Sequence, residues 1–489
     1  MNRLGGTPGQ TPVRLNVAKV HVPLSAVLAA SAGRRLAAGG RLLPRHPFVV
    51  AAALFLIAMW RVTITHGPLP MLVLLSGVAA VLLAWRFIHV SSFTRLVLCR
   101  VRGAWRAATV YRYLWQPAMV TTAMALRVDG IQYLPRLISV TSTGSVDVVL
   151  VRMLPGQTLT DWASNASRLA QTFGVLDCRV RTVPGRARHM ALWCLRSDPL
   201  TTPVEPFDPP DGCDGLDLSA LPVAVGEDGL VHRVRLLGAH LLVVGATGSG
   251  KGSVIWSLVS ALAPGIREGL VQVWAVDPKG GMELAPGAAL FTRFVYGDAD
   301  ENTLYELDFA HVLEDAVFVM RRRQTTLRGH TRLHTPTVAE PLIVVVIDEL
   351  ASLTAYIVDR DAKKRITAAL SLLLSQGRAV GVSVVGAVQD PRKDVISMRD
   401  LFPTRILLRV TEPEHVALTL GPGAGDRGAR ADLIDEATPG VAYIGQDGIV
   451  EPVRVRFTHV TDHHIAVLTQ AYAPRPLHAV PGPIQDVAS

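Results

Sequence analysis

His240-Leu241-Leu242-Val243-Val244-Gly245-Ala246-Thr247-Gly248-Ser249-Gly250-Lys251-Gly252-Ser253 is the stretch on which the fold turns. A short apolar run, a glycine-rich turn and a helical stretch over 253–262 follow one another directly. Strand, G-x-x-x-x-G-K turn and helix in that order make a P-loop. The glycines let backbone N–H groups wrap phosphate oxygens without Cβ clashes. The helix N-terminus adds the positive end of its dipole, and the Lys251 ammonium reaches the β- and γ-phosphates. The nucleotide-holding residues are therefore Gly245, Ala246, Thr247, Gly248, Ser249, Gly250, Lys251, Gly252 and Ser253. The position after the lysine ordinarily carries a Ser or Thr hydroxyl for Mg²⁺. Here it is Gly252, so either Ser253 supplies the hydroxyl or water takes that place.

Working outward, residues 342–347 are six apolar residues that end in Asp348 and Glu349. A run of that kind fits a central parallel strand buried on both faces, and such sheets bind ligands at the carboxyl ends of their strands. Asp348 is placed to orient Mg²⁺ and Glu349 to activate a water. A third strand, 382–388, ends in Gln389, a polar group able to sense a γ-phosphate; it follows Gln376-Gly377-Arg378. Strands over 405–410 and near 441–444 complete a doubly wound sheet. A helix from about 300 to 328 carries acids early and Arg321, Arg322 and Arg323 late, as the macrodipole favours. The expected fold class is α/β, a RecA-like P-loop ATPase with a mostly parallel sheet. A small α+β domain and an N-terminal two-helix transmembrane hairpin precede it.

The charge distribution supports the hairpin. The 489 residues carry a formal net charge of +9, yet no Asp or Glu precedes Asp129. Two apolar runs, 48–60 (extended past Arg61 to 64) and 68–85, are joined by the uncharged Thr65-His66-Gly67. Trp60 and Trp85 stand at run ends, where interfacial aromatics sit. Arg34, Arg35, Arg41 and Arg45 lie before the pair, and Arg86, Arg95, Arg100, Arg102 and Arg106 after it. By the positive-inside rule both flanks face the cytoplasm. The first run begins too far from Met1 for a signal peptide. The basic, aromatic stretch after the hairpin, with Trp105, Tyr111, Tyr113 and Trp115, reads as a helix on anionic lipid. Residues 134–195 read as strands around one helix, capped near Thr158 or Thr160 and stopped at Gly174, with no catalytic constellation. Cys99, Cys178, Cys194 and Cys213 are widely spaced and fit reduced thiols rather than disulfides or zinc ligands.

Several further strings join these motifs: Val276-Asp277-Pro278-Lys279, Val345-Val346-Ile347-Asp348-Glu349-Leu350-Ala351, Gly377-Arg378-Ala379-Val380-Gly381, Gly386-Ala387-Val388-Gln389-Asp390-Pro391 and Phe402-Pro403-Thr404-Arg405-Ile406. In order and spacing they resemble the FtsK/SpoIIIE/Tra family of DNA translocases, especially the actinobacterial plasmid-transfer type. The resemblance covers about 229–457 and implies a homo-hexameric ring on double-stranded DNA, with ATP sites between subunits. It implies Lys251, Asp348 and Glu349 in the roles above, Gln389 as sensor, and an arginine acting in trans, for which Arg378 stands first and Arg405 second. Gly252 departs from the family's pattern. The family's winged-helix reader of DNA sequence does not fit the Pro-containing residues 461–489, so a separate recognition partner is implied.

The expected organisation is a basic cytoplasmic segment over 1–46, the transmembrane hairpin over 47–88 and a basic juxtamembrane helix over 89–133. A small α+β domain over 134–200, the motor over 217–460 and a tail over 461–489 follow. The expected function is an ATP- and Mg²⁺-dependent DNA translocase at the inner membrane, multi-pass, with a cytoplasmic motor, serving conjugation or chromosome segregation. The alternatives are a type VII-like protein-export ATPase, which usually strings several ATPase modules together where this chain has one P-loop, and a membrane scaffold retaining an ATP-binding fold.

Overall fold

Runs of Val, Ile and Leu too apolar to face water on either side build the sheet that dominates the molecule. The computed structural model describes residues 61–474, apart from 62, 66, 129–130, 211 and 298–304. The apolar run 48–60 and the tail beyond 474 lie outside the described residues, as does the start of the helix expected from about 300. The chain divides into two units, 1–93 and 94–489.

In the first unit, α1 (Leu69–Ile88) is the one helix among the described residues long and apolar enough to cross a membrane, and none of residues 71–88 is buried. Trp85 Nε1 donates to Ser92 Oγ at 2.8 Å near its end.

The second unit opens with helical segments, among them α2 (Cys99–Arg106) and α3 (Arg112–Thr121), and a short hairpin of β1 (Leu126–Val128) and β2 (Ile131–Tyr133). Next comes a four-stranded antiparallel sheet of β3 (Arg136–Ser142), β4 (Val146–Arg152), β5 (Asp177–Thr182) and β6 (His189–Leu195), in the order β3-β4-β6-β5. Between β4 and β5 lie α4 (Leu159–Ser164) and α5 (Ala166–Phe173). Thr158 caps the first in a reciprocal box with Asp161, and Gly174 at φ 64° ends the second.

The helical stretch read as a lipid-surface element is folded into this domain. Tyr111, Trp115, Ala118, Met119 and Thr122 recur at helical spacing and are all buried. A Cβ on Gly103 would overlap the Val140 backbone, so α2 lies directly on β3. Buried Asp147 accepts from Arg106 Nε at 2.8 Å and from Tyr111 OH at 2.9 Å, and Trp115 Nε1 donates to Pro135 O at 2.7 Å. The arginine and aromatics that suggested lipid serve the sheet's polar and apolar needs instead; Trp105 and Tyr113 remain exposed.

The motor sheet has ten strands, ordered β11-β10-β12-β13-β9-β14-β15-β16-β7-β8. They are β7 (Leu221–Gly226), β8 (Val231–Val234), β9 (Leu241–Val244), β10 (Val271–Asp277), β11 (Arg293–Tyr296), β12 (Leu342–Ile347), β13 (Val382–Val388), β14 (Thr404–Leu408), β15 (Val441–Gln446) and β16 (Ile449–Phe457). From β11 to β14 neighbouring strands are parallel; from β14 to β8 every pairing is antiparallel. The sheet is thus mixed, and the strand near 441–444 reverses direction instead of completing a doubly wound layer. No helix separates it from β16. Asp447 and Gly448, the latter at φ 85°, make a tight turn, and tight turns join antiparallel strands. The helix after the P-loop, α6 (Lys251–Arg267), packs on one face. On the other, α7 (Tyr305–Leu327) and α9 (Arg360–Gln376) flank the short α8 (Leu350–Thr354). Of the late arginines of α7, Arg323 is buried and donates to the carbonyls of Val380, Gly381 and Pro341 and to Glu340, which explains its place without any external partner.

The two domains touch. Arg179 Nη1 donates to Glu227 at 2.9 Å, the Thr182 backbone N–H to Glu451 at 3.1 Å, and Arg181 lies 3.8 Å from Glu451. The segment around Asp198 and Leu200 is strapped to the motor: Leu200 is buried in its core, Arg456 Nη1 donates to Leu200 O at 2.9 Å, and Arg454 pairs with Asp198 at 2.8 Å.

Arg106→Met strands the buried Asp147 carboxylate and is expected to destabilise the protein by about 3 kcal/mol. A thermal melt of the purified chain measures it; an unchanged midpoint would return Arg106 to the lipid surface.

Candidate functional site

The topology explains why a few short strings meet. The P-loop strand β9 is central, but its neighbour toward β12 is β13. The carboxyl ends of β9, β13 and β12 therefore present Gly245, Gln389 and Asp348-Glu349 in succession along one edge. Gly245 N–H donates to Val388 O and Asp348 N–H to Val276 O, each at 3.1 Å, continuing the ladder into the site.

The loop itself is built on glycine. Gly248 has φ 73° and Gly250 φ 99°, in the left-handed region where a Cβ is strained. At Gly250 an added Cβ would also overlap the Gly440 backbone, whose N–H donates to Ser249 O at 2.9 Å. The loop before β15 thus braces the P-loop from outside. Lys251 Nζ donates to Gly245 O at 2.9 Å and Ala246 O at 3.2 Å, folded back over its own loop. Burial lowers its pKa, with Glu349 pulling the other way.

A chain of polar contacts joins the three strand ends. Thr247 Oγ1 donates to Gln389 Oε1 at 3.1 Å, and Gln389 Nε2 donates to Glu349 Oε2 at 3.1 Å. Lys279 Nζ donates to the same Glu349 oxygen at 3.0 Å and lies 3.7 Å from Asp348 Oδ2. Glu349 is buried and its other oxygen, Oε1, has no partner among the described residues. Burial pushes the Asp348 carboxyl up to about 6; Lys279 opposes that, and Asp277, Glu283 and Glu349 add to it. For Lys279, burial is outweighed by its bond to Glu349 and the nearby acids, so its pKa is raised. Burial, with Asp277, also raises Glu283.

Lys251, Lys279, Glu283, Asp348 and Gln389 border a cavity of about 600 Å³, within the range of small-molecule sites. Thr247, Gly248, Gly250, Lys251, Gly252, Ser253, Asp348 and Gln389 are among its lining, together with the apolar Trp256, Met282, Pro286, Val460 and Ile465. The acids near the cavity outnumber Lys251 and Lys279, which suits a cation. Among the described residues no cluster of His, Cys, Asp and Glu could hold a metal unaided. That combination fits Mg²⁺, which is held by one or two carboxylates together with phosphates.

Lys251, Ser253, Asp348, Glu349 and Gln389 come together here; Arg378 does not. It is exposed ahead of β13, at the amino-terminal edge of the sheet, near enough to His240 that burial and the guanidinium push that imidazole down to about 3. The length of β13, about 20 Å, separates it from this cavity. Arg405 donates to Phe402 O and Thr419 O, anchoring its own strand. Three participants carried no role in the sequence reading. Lys279 and Glu283 follow β10 in a turn organised by Asp277, and the Asp277-Pro278-Lys279 string was their only trace. Arg409, at the end of β14, donates to Thr247 O at 3.3 Å and pairs with Glu436 at 3.0 Å.

Residues 216–331 match the FtsK/SpoIIIE family. The chain is 27% identical over 364 residues to the transfer protein TraSA of Streptomyces ambofaciens, covering 70% of this chain and 83% of the relative. It is 27% identical over 271 residues to the DNA translocase FtsK of Corynebacterium glutamicum, covering 51% of this chain but only 28% of the relative. Among solved structures, the pCW3 conjugation coupling protein TcpA with ATPγS has a TM-score of 0.45 at 19% identity, covering 73% of this chain and 98% of that one.

Gly250→Ala combines left-handed strain with a backbone clash, so nucleotide affinity is expected to fall roughly tenfold or more. Titration with a fluorescent ATP analogue measures this, and undiminished affinity would show that the loop is not the nucleotide cradle.

Proposed function

We propose that this chain, which carries an FtsK/SpoIIIE-family domain, is an ATP-driven translocase of double-stranded DNA held at a membrane. The observation that carries the reading is the continuous set of contacts from Thr247 through Gln389 and Glu349 to Lys279, beside a P-loop lysine in one cavity.

In this reading the backbone of 245–251 binds the phosphates of ATP. Lys251 exchanges its two loop carbonyls for phosphate oxygens, which need its charge more. The apolar residues of the lining take the base. Ser253 and Asp348 hold Mg²⁺, which when bound neutralises charge on the phosphate oxygens. Glu349 receives the proton of the attacking water, and Lys279 holds its Oε2 in place. Gln389 touches both the P-loop and Glu349, so a change at the γ-phosphate alters its two hydrogen bonds together and is passed into β13. Arg378, remote from its own subunit's cavity, serves only in trans, at a neighbour's site in a homo-hexameric ring.

DNA as substrate is supported by the relatives, a transfer protein and DNA translocases, and its double-stranded form by the family resemblance. Conjugative transfer is favoured over segregation because the chain spans most of the transfer protein and about a quarter of the FtsK translocase. α1 supplies one crossing of the membrane and the apolar run 48–64 the other, with the motor in the cytoplasm.

ATP turnover of the full chain, with and without linear duplex DNA, tests the reading. Duplex DNA is expected to stimulate turnover, and Lys251→Ala to abolish it. Glu349→Gln should keep ATP binding and lose turnover by about 10²-fold or more. Hydrolysis indifferent to DNA and raised by a secreted protein would make the chain an export ATPase.

A further inference from the structure

The space beside the glycine after the P-loop lysine is taken by the end of an exposed acidic side chain. A Cβ on Gly252 would overlap Oε1 of Glu283. The space into which a Ser or Thr side chain at 252 would project is held by an acid from a different element. The backbone of that acid is fixed from beneath. Buried Asp277 accepts through Oδ2 from the backbone N–H groups of Glu283 and Leu284, each at 3.1 Å, and through Oδ1 from Lys279 N–H at 3.0 Å. Leu284, fully buried, pins the turn to the core. Glu283 lines the same cavity as Lys251, Ser253 and Asp348, and its carboxylate accepts no hydrogen bond and forms no ion pair among the described residues.

A carboxylate aimed at a triphosphate site repels its ligand unless a cation stands between them. Here the acid stands where P-loops ordinarily present a metal-binding hydroxyl. Resting on the reading of this cavity as an ATP site, we propose that Glu283 supplies the side-chain oxygen for the divalent cation that residue 252 does not. The exchange has a consequence that a hydroxyl would lack. A carboxylate can carry a full negative charge where a hydroxyl cannot, so in that form it penalises nucleotide without metal and rewards nucleotide with it, making the site selective for the metal-bound form.

The test uses the full-length protein and two binding measurements, neither of which needs turnover. Mn²⁺ affinity in the presence of ATPγS is read by electron paramagnetic resonance, and affinity for a fluorescent ATPγS analogue is read in EDTA. Glu283→Gln is expected to weaken Mn²⁺ binding by about tenfold or more while nucleotide affinity in EDTA rises. The paired variant Gly252→Ser with Glu283→Ala returns the hydroxyl to its usual place and is expected to recover Mn²⁺ affinity over Glu283→Ala alone. Mn²⁺ affinity of Glu283→Gln within about twofold of the parent, or a paired variant no better than Glu283→Ala, would overturn the assignment and leave Glu283 as a space-filler. A parent protein that binds no ATPγS would overturn the ATP-site reading and this assignment with it.

Discussion

Between β9 and β12 lies β13, and that insertion governs the chemistry of the cavity. Were the P-loop strand and the Asp348-Glu349 strand adjacent, nothing would stand between the phosphate cradle and the buried acid. With β13 in place, Gln389 emerges midway and bonds both ways, to Thr247 and to Glu349. The spacing is that of neighbouring strands, close to 5 Å per step, so a side chain of glutamine length spans what a shorter one would not. Lys279 enters from β10 on the far side of β12 and closes the row. Asp348, Glu349 and Gln389 take their positions from strand order, and strand order from the long helical crossovers that keep these strands parallel.

The small domain shows a different economy. Its sheet has one face to cover, and the helical stretch before it covers that face with Tyr111, Trp115 and Met119 while Arg106 answers the buried Asp147. A basic, aromatic, acid-free helix has two possible destinations, a lipid surface or a protein surface carrying one buried acid. Composition does not separate them. The separating fact is Asp147, some forty residues downstream, which becomes a neighbour only after β4 has formed.

The same distinction governs what could be read in the sequence. The P-loop, the Asp348-Glu349 strand end and Gln389 were legible because each is a contiguous string whose chemistry lies in adjacent residues. The antiparallel half of the sheet was not: β7, β8 and β16 are ordinary short strands, and only pairing across more than two hundred residues joins β16 to β7. Lys279 and Glu283 were hidden for a related reason. A lysine and a glutamate in a turn carry no pattern of their own, and their meaning comes from Glu349 and Gly252, which reach them through the fold. The resemblance offers Arg378 as an arginine acting in trans, and β13 sets it at the opposite edge of the sheet from its own subunit's cavity.

The contact of Gly440 with Gly250 links the cradle to the rest of the molecule mechanically. Gly440 accepts from Phe457 N–H through its carbonyl, and Phe457 ends β16, a nine-residue ribbon of about 30 Å whose turn lies close to Glu451, where the small domain is attached. β16 therefore runs unbroken from the loop that braces the phosphate cradle to one of the contacts that hold the small domain, and the two lie on a single strand.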